Sequence, residues 1–273
     1  MIPPVLFPGM LSLMAVLPIA ASPAQSLLRW RLGEGQRRSF VAVYEFVERR
    51  ALPRRLDLNA RVELRLDLAA SGSRRDGGLP LRLAIRRMAL RLEALPLLSI
   101  AFDSDGPKKD AGPLSPLAAL AGRTFDAEST ARGLRVDLPP EREKRVEEIL
   151  GTDLGSFLEG FFPPLPVEPV AIGQSWRTPW SVPGLAAEFA ENRVEAVEGD
   201  VFRVRQEPSF PKAPGRSAAG SGSFVFDRRR GLCLEASSTL DLEIQGERNG
   251  FPDEVRRQIR RSLRLAGEAD GAK

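Results

Sequence analysis

Catalysis needs groups that titrate, attack or ligate, and this chain is short of them. Its 273 residues include no histidine and one cysteine, Cys233. A Ser-His-Asp or Cys-His arrangement is therefore impossible. Zinc sites of the Cys/His type are excluded, and no disulfide can close within the chain. The sequence has no G-x-S-x-G elbow, P-loop or G-x-G-x-x-G. Ser209-Phe210-Pro211-Lys212 has the spacing at which one helical turn would bring an amine to a hydroxyl, but Pro211 and its loop-like surroundings oppose that turn. Cys233 has only the Arg228–Arg230 run nearby to favour a thiolate, and reads as a passive strand residue. Two acids, Asp103 and Asp227, each end a short apolar run. Facing one another they would form the carboxylate pair of a glycosidase-like hydrolase. Standing apart, each caps a β-turn. The Asp103-Ser104-Asp105-Gly106 turn lacks the further acids and terminal Glu of a calcium loop. No catalytic residue, metal site or cofactor is expected.

Binding has better candidates. Trp176 and Trp180 follow a proline-rich stretch that could edge a cleft. Tyr44 and Phe46 belong to Arg38–Val47, a run apolar on both faces. Such a run suits a central strand and implies a second apolar layer, which a lipid or another cell-envelope component would supply. The 40 basic residues outnumber the 36 acidic ones by four, and arginines recur in pairs such as Arg49-Arg50, Arg86-Arg87, Arg256-Arg257 and Arg260-Arg261. Such pairs fit either an anion-binding surface or solvated strand faces. Interleaving with acids is unlike a nucleic-acid face, where positive charge clusters, so no nucleic-acid partner is expected.

The elements that position these residues are mainly β. Leu56 to Ala70 alternates without a break, with Leu64, Leu66 and Leu68 on one parity and Glu63, Arg65 and Asp67 on the other. That period means a long strand with one buried face. Leu79–Leu95 alternates too, but its phase slips at Arg86-Arg87, which predicts a β-bulge. Leu81, Ile85, Met88, Leu92 and Leu95 also fit helical spacing, and the strand is preferred because its neighbours are sheet-like. Ser99–Gly106 is a short strand entering a turn, Leu114–Ala121 a short helix, and Arg123–Glu128 and Gly133–Leu138 a strand pair. Pro139 to Phe161 has a helix start and an apolar stripe. Pro163, Pro164, Pro166 and Pro169 end it and separate two β-rich halves. In the second half, strands are expected over Gly173–Pro179, Leu185–Val197, Val201–Gln206, Ser223–Asp227 and Leu232–Gln245. Glu207–Gly222, rich in Pro, Gly, Ser and Ala, reads as a mobile loop. On Leu232–Gln245 the leucines share one parity, and Cys233 falls on the opposite face. Val255–Leu265 is read as the last strand in preference to an amphipathic helix.

Residues 1–24 carry no charged side chain and end in Ser22-Pro23-Ala24, the pattern of a cleaved secretory signal peptide. Its apolar run is shorter than the roughly 20 residues of a spanning helix, and no cysteine follows it. The expectation is an exported protein, periplasmic or extracellular, with neither a permanent span nor a lipid anchor. The expected organisation is 1–24 signal peptide, 25–138 first β unit, 139–165 helix and connector, and 166–273 second β unit. Gly35-Gln36 before Phe40 and Gly173-Gln174 before Trp176 echo each other, as an internal duplication would produce.

LRWRLGEGQ at the start of the mature chain, SIAFDSDG and LPVEPVAIGQSW together resemble an uncharacterised family of exported, β-rich bacterial proteins. The resemblance implies export and a sheet-dominated fold, and brings no catalytic residues. Two readings result. One is a non-enzymatic binding or scaffold module whose two antiparallel, curved sheet units, joined by a helix, enclose an apolar or amphipathic ligand. The alternative is a carboxylate-dependent hydrolase acting on an envelope glycan or lipid.

Overall fold

A computed structural model describes residues 25–51, 56–73, 78–95, 98–106, 112–130, 133–137, 153–182, 185–186, 189–248 and 251–266. Its main element is one antiparallel sheet of 12 strands that does not close on itself. The first half supplies β1 (Arg37–Ala51), β2 (Leu56–Ala70), β3 (Leu79–Leu95), β4 (Leu98–Asp103), β5 (Thr124–Thr130) and β6 (Gly133–Asp137). The second supplies β7 (Ser175–Thr178), β10 (Phe189–Glu198), β11 (Val201–Ser209), β12 (Arg216–Asp227), β13 (Leu232–Arg248) and β14 (Phe251–Leu265). The short strands β8 (Ser181–Val182) and β9 (Leu185–Ala186) pair separately. Across the sheet the order is β6-β5-β3-β2-β1-β14-β13-β12-β11-β10-β7, with β4 also beside β3. The two β-rich halves are thus two meanders spliced into one sheet where β1 pairs with β14, from Phe40↔Leu265 to Ala51↔Glu254.

The leucine alternation of β2 holds in space: Leu64, Leu66 and Leu68 are wholly buried, while Arg61 and Arg65 are exposed. One polar position departs from the pattern. Asp67 is buried on the outer face, where Arg86 Nε donates to it at 2.5 Å, Ser39 Oγ at 2.6 Å, and Arg37 also pairs with it. The bulge expected at Arg86-Arg87 is present: Arg65 pairs with Arg87 and Leu66 with Ile85, leaving Arg86 extra and free to reach Asp67.

The inner face of the sheet is covered by two segments. Residues 25–32 run extended, with Leu28, Trp30 and Leu32 buried and Arg29 and Arg31 exposed. Ser26 and Val170 exchange backbone hydrogen bonds at 2.8 Å, holding this segment to the proline-rich stretch. That stretch is core, not spacer: Phe161, Phe162, Leu165 and Val170 are buried. Trp30 meets Phe40, Phe162 and Phe226 edge-to-face at 6.4, 5.8 and 5.9 Å, fastening β1 and β12 under one cap.

Two helices occur among the described residues, α1 (Ser115–Ala118) and α2 (Leu154–Glu159). Asp153 caps α2 by accepting from Ser156 N at 2.6 Å. The earlier part of the helix expected from Pro139 lies outside the described residues. No helix among them is long and apolar enough to cross a membrane.

Two expectations are corrected. Glu207–Gly222 is strand over most of its length, as the end of β11 and the start of β12. Its small residues serve close approach: a Cβ at Gly220 would lie 2.8 Å from Pro208 Cγ and 3.0 Å from Thr239 O. Cys233 is not opposite the buried leucines. A register shift in β13 pairs Val225 with Glu235 and Phe226 with Cys233, so Cys233 turns inward and is fully buried. The Gly35 and Gly173 turns do match. Both glycines have positive φ (75° and 80°). In each turn the following glutamine closes a backbone bond and accepts from the same residue through Oε1, Gln36 from Gly33 N at 3.0 Å and Gln174 from Ala171 N at 2.8 Å.

Candidate ligand-binding face

Strand register places one continuous apolar row on the inner face. Phe46 of β1 pairs with Ala60 of β2, Ala60 with Leu92 of β3, and Leu92 with Ile100 of β4. On the other side Phe46 pairs with Ile259 of β14, Ile259 with Leu240 of β13, and Leu240 with Gly220 of β12. The row crosses seven strands, about 29 Å at roughly 4.8 Å per strand spacing. Ile259 and Leu240 are buried, while Phe46, Ala60, Leu92 and Ile100 are only half-buried, and beyond them Leu98 is 42% exposed. One row nearer the cap, Tyr44 is covered by Phe157 of α2, their rings 5.3 Å apart. The cover thins between Tyr44 and Phe46.

Charged groups flank this row on both sides. In β14 Arg257, Ile259 and Arg261 alternate along the inner face, opposite Glu48, Phe46 and Tyr44 of β1. Arg261 is 7% exposed, its guanidinium 5.9 Å from the Tyr44 ring. Burial lowers its proton affinity, with Tyr44 opposing, and burial holds the Tyr44 hydroxyl above its ordinary value, with Arg261 opposing. A Cβ at Gly160, the C-cap of α2, would meet this guanidinium, so any larger residue there would need Arg261 to shift. Glu48 is 5% exposed and accepts from Arg50 Nε at 2.5 Å and Arg257 Nε at 2.6 Å.

Beside Arg261 lies a cavity of about 200 Å³ lined by Glu159, Phe162, Trp180, Gln206, Ala236 and Leu263, among others. Gly133 and Leu134 of edge strand β6 also line it, as does Trp180 just past edge strand β7. The sheet therefore curls until both edges approach its middle strands. Glu159 accepts from Val136 N at 2.8 Å, and burial raises its carboxyl. At this volume the cavity is below the roughly 300–1,000 Å³ of small-molecule sites. Its polar neighbours Gln206, Asn192 and Thr178 form a closed chain, Gln206 donating to Asn192 Oδ1 at 2.7 Å and Asn192 to Thr178 Oγ1 at 2.9 Å.

The four aromatic residues singled out from sequence all face inward, in different settings. Tyr44 is buried under α2 and Phe46 lies in the half-buried row. Trp176, half-buried, stacks edge-on against Phe224 at 6.4 Å, and Trp180 lines the cavity. Among the described residues, the buried indole Nε1 atoms of Trp176 and Trp180 have no hydrogen-bond partner.

The turn acids do not meet. Asp103 ends β4 and Asp227 ends β12, six strand spacings apart in the sheet order, roughly 29 Å along the sheet. Both have parity opposite to inward-facing neighbours, Phe102 and Phe226, and so point away from the concave face. Each closes its turn: Asp103 Oδ1 accepts from Asp105 N at 3.1 Å and Asp227 Oδ1 from Arg230 N at 2.8 Å. Asp103 is also gripped by Arg87, whose Nε donates at 2.9 Å, and this hydrogen bonding lowers its carboxyl to about 2. Burial pushes the Cys233 thiol up to about 12, the wrong direction for a nucleophile. Among the described residues no group of three or more His, Cys, Asp or Glu could hold a metal ion. In the sequence the inner-face arginines fit either an anion-binding surface or solvated strand faces; adjacent strand residues point to opposite faces, so each arginine pair in a regular strand sends one member inward.

No family model matches the chain, and no characterised protein matches it in sequence. The fold is similar to a solved structure of lipovitellin, one described for its lipid–protein interactions, with a TM-score of 0.57 and 10% identity. The match covers 87% of this chain and 26% of that one, so the chain spans about a quarter of lipovitellin's length. At that identity the likeness is one of fold.

Proposed function

We propose that the protein is an exported, non-enzymatic module of the cell envelope that binds the acyl chain of a lipid along its inner face. The observation that carries this is the half-buried row from Ile100 through Leu92, Ala60 and Phe46 to Ile259 and Leu240. An apolar strip of that length on a concave surface is stabilised by any apolar chain that removes it from water. The uncharged segment 1–24 supports export. The lipovitellin-like fold supports a lipid as occupant. Carboxylate hydrolysis loses its support with the separation of Asp103 and Asp227.

Chain-length dependence tests the reading. Each buried methylene contributes about 0.8 kcal/mol, and 1.4 kcal/mol is tenfold in affinity. Titration of the purified protein with decanol, dodecanol and tetradecanol should tighten binding roughly 4- to 15-fold per two carbons, the lower figure applying where one side of the chain stays wet. Binding that does not depend on length, or no binding of any of the three, would overturn the proposal.

A further inference from the structure

We propose that the bound lipid is anionic and that Arg50 and Arg257 hold its headgroup. This rests on the lipid reading above and adds the chemistry of the polar end. The two guanidinium groups flank one carboxylate, Glu48, and each spends only its Nε on it. Their terminal nitrogens make no further hydrogen bond among the described residues, and their side chains stay 23% and 27% exposed. Two cations against one anion leave a net positive charge beside Phe46 and Ile259.

On the outer face Asp67 likewise takes two arginines, Arg37 and Arg86, while other arginines there are matched to acids. Arg61 has Glu45 and Glu63, Arg87 has Asp103 and Asp105, and Arg256 has Glu243 and Glu254. What sets the Glu48 cluster apart is its place on the inner face, beside Phe46 and Ile259 at the middle of the apolar row. Glu48 is itself a positioning residue: buried and bonded to both Nε atoms, it fixes the two planar forks with their outer edges directed away from it. Such forks suit a carboxylate or phosphate, which each can grip through two parallel hydrogen bonds. Register puts Arg257 two residues from Ile259 along β14, about 7 Å. A headgroup held there lies within reach of a chain laid on the row.

The test compares oleate with oleyl alcohol, which share a chain and differ in headgroup, each titrated at pH 8 below its micelle concentration into the full protein stripped of lipid. Wild type should bind oleate at least ~10-fold more tightly, the size expected of a hydrogen bond to a charged group. The double variant Arg50→Gln/Arg257→Gln should lose that preference while keeping its affinity for the alcohol. Glu48→Gln should tighten oleate binding several-fold, because the forks no longer share their charge with an internal carboxylate. That gain is a readout a purely structural ion cluster would not produce, and it stands even if the double variant fails to fold. Equal wild-type affinity for acid and alcohol would overturn the headgroup assignment and leave the acyl reading intact. So would displacement of oleate by millimolar inorganic phosphate alone, which would mark a site for free anions. Failure to bind either ligand would overturn both.

Discussion

Two phenylalanines on one face of one strand should behave in opposite ways when truncated. Phe40 and Phe46 both point inward from β1, but Phe40 is wholly buried and meets Trp30 and Phe162 edge-to-face at 6.4 and 5.8 Å. Phe46 is half-buried, in the open row. Truncating a buried phenylalanine costs about 3–5 kcal/mol. Phe40→Ala should take that full amount, lowering the melting temperature by roughly 6–20 °C at 2–4 °C per kcal/mol for a chain of this size. Phe46→Ala removes less buried surface than Phe40→Ala and should cost less, ~2–4 kcal/mol in stability, while weakening alkanol binding by tenfold or more. Urea unfolding followed by tryptophan fluorescence gives the stabilities, and titration gives the affinities. If Phe46→Ala were as destabilising as Phe40→Ala, the row would be core and the cover complete. If it were mild and left binding unchanged, the ligand would lie elsewhere.

Two further outcomes follow from individual side chains. Asp103, lowered to about 2 chiefly by its hydrogen bonds to Arg87, has a folded value below its unfolded one. Its contribution is therefore present above about pH 4 and lost as pH falls towards 2. Asp103→Asn should cost about 1 kcal/mol or less at pH 7 after allowing for solvent screening, and a difference from wild type that persisted at pH 2 would refute the pairing. Deletion of Arg86 removes the extra residue of the bulge and keeps every neighbour's parity, at the cost of one partner of Asp67. It should fold with a loss of ~1–3 kcal/mol, whereas deletion of Ala89, which flips one flank of β3, should abolish folding in the same urea assay.

Legibility in the sequence followed the range over which a pattern acts. The alternation of β2 and the slip at Arg86-Arg87 are local, and both reappear in the backbone with the expected parity. Arg38–Val47 also reads correctly as a central strand, but its second apolar face does not imply a second layer. Val41 lies between Arg65 and Arg264, and Val47 between Asn59 and Gln258. Side-chain stems of such neighbours cover a valine without another sheet. Glu207–Gly222 reads as a loop because glycine and serine signal flexibility in composition. Here Gly220 and Gly222 answer to the nearness of β13 and Gln206, which no local window contains. Cys233 was turned the wrong way by one register shift, which reverses the parity of everything before it. The pairing of β1 with β14 joins residues more than 200 positions apart, and no periodicity reports it.

That long-range pairing also decides where a ligand face can exist. Ile100, Leu92, Ala60 and Phe46 come from the first meander, Ile259 and Leu240 from the second. Glu48 and Arg50 are on β1, and Arg257 is on β14. Neither meander holds both the row and the cation pair. The splice creates them together, and it does so near the middle of the sheet, where Phe46, Ala60, Leu92 and Ile100 remain only half-buried. Two arginines around a buried carboxylate also occur at Asp67 on the outer face, and apolar residues of similar volume would hold the strands as well or better, so it is the position of the Glu48 cluster that matters. Its presence at the seam, beside the stretch of inner face whose apolar side chains remain half-buried, is the strongest physical ground for reading this face as a binding surface rather than as unfinished core.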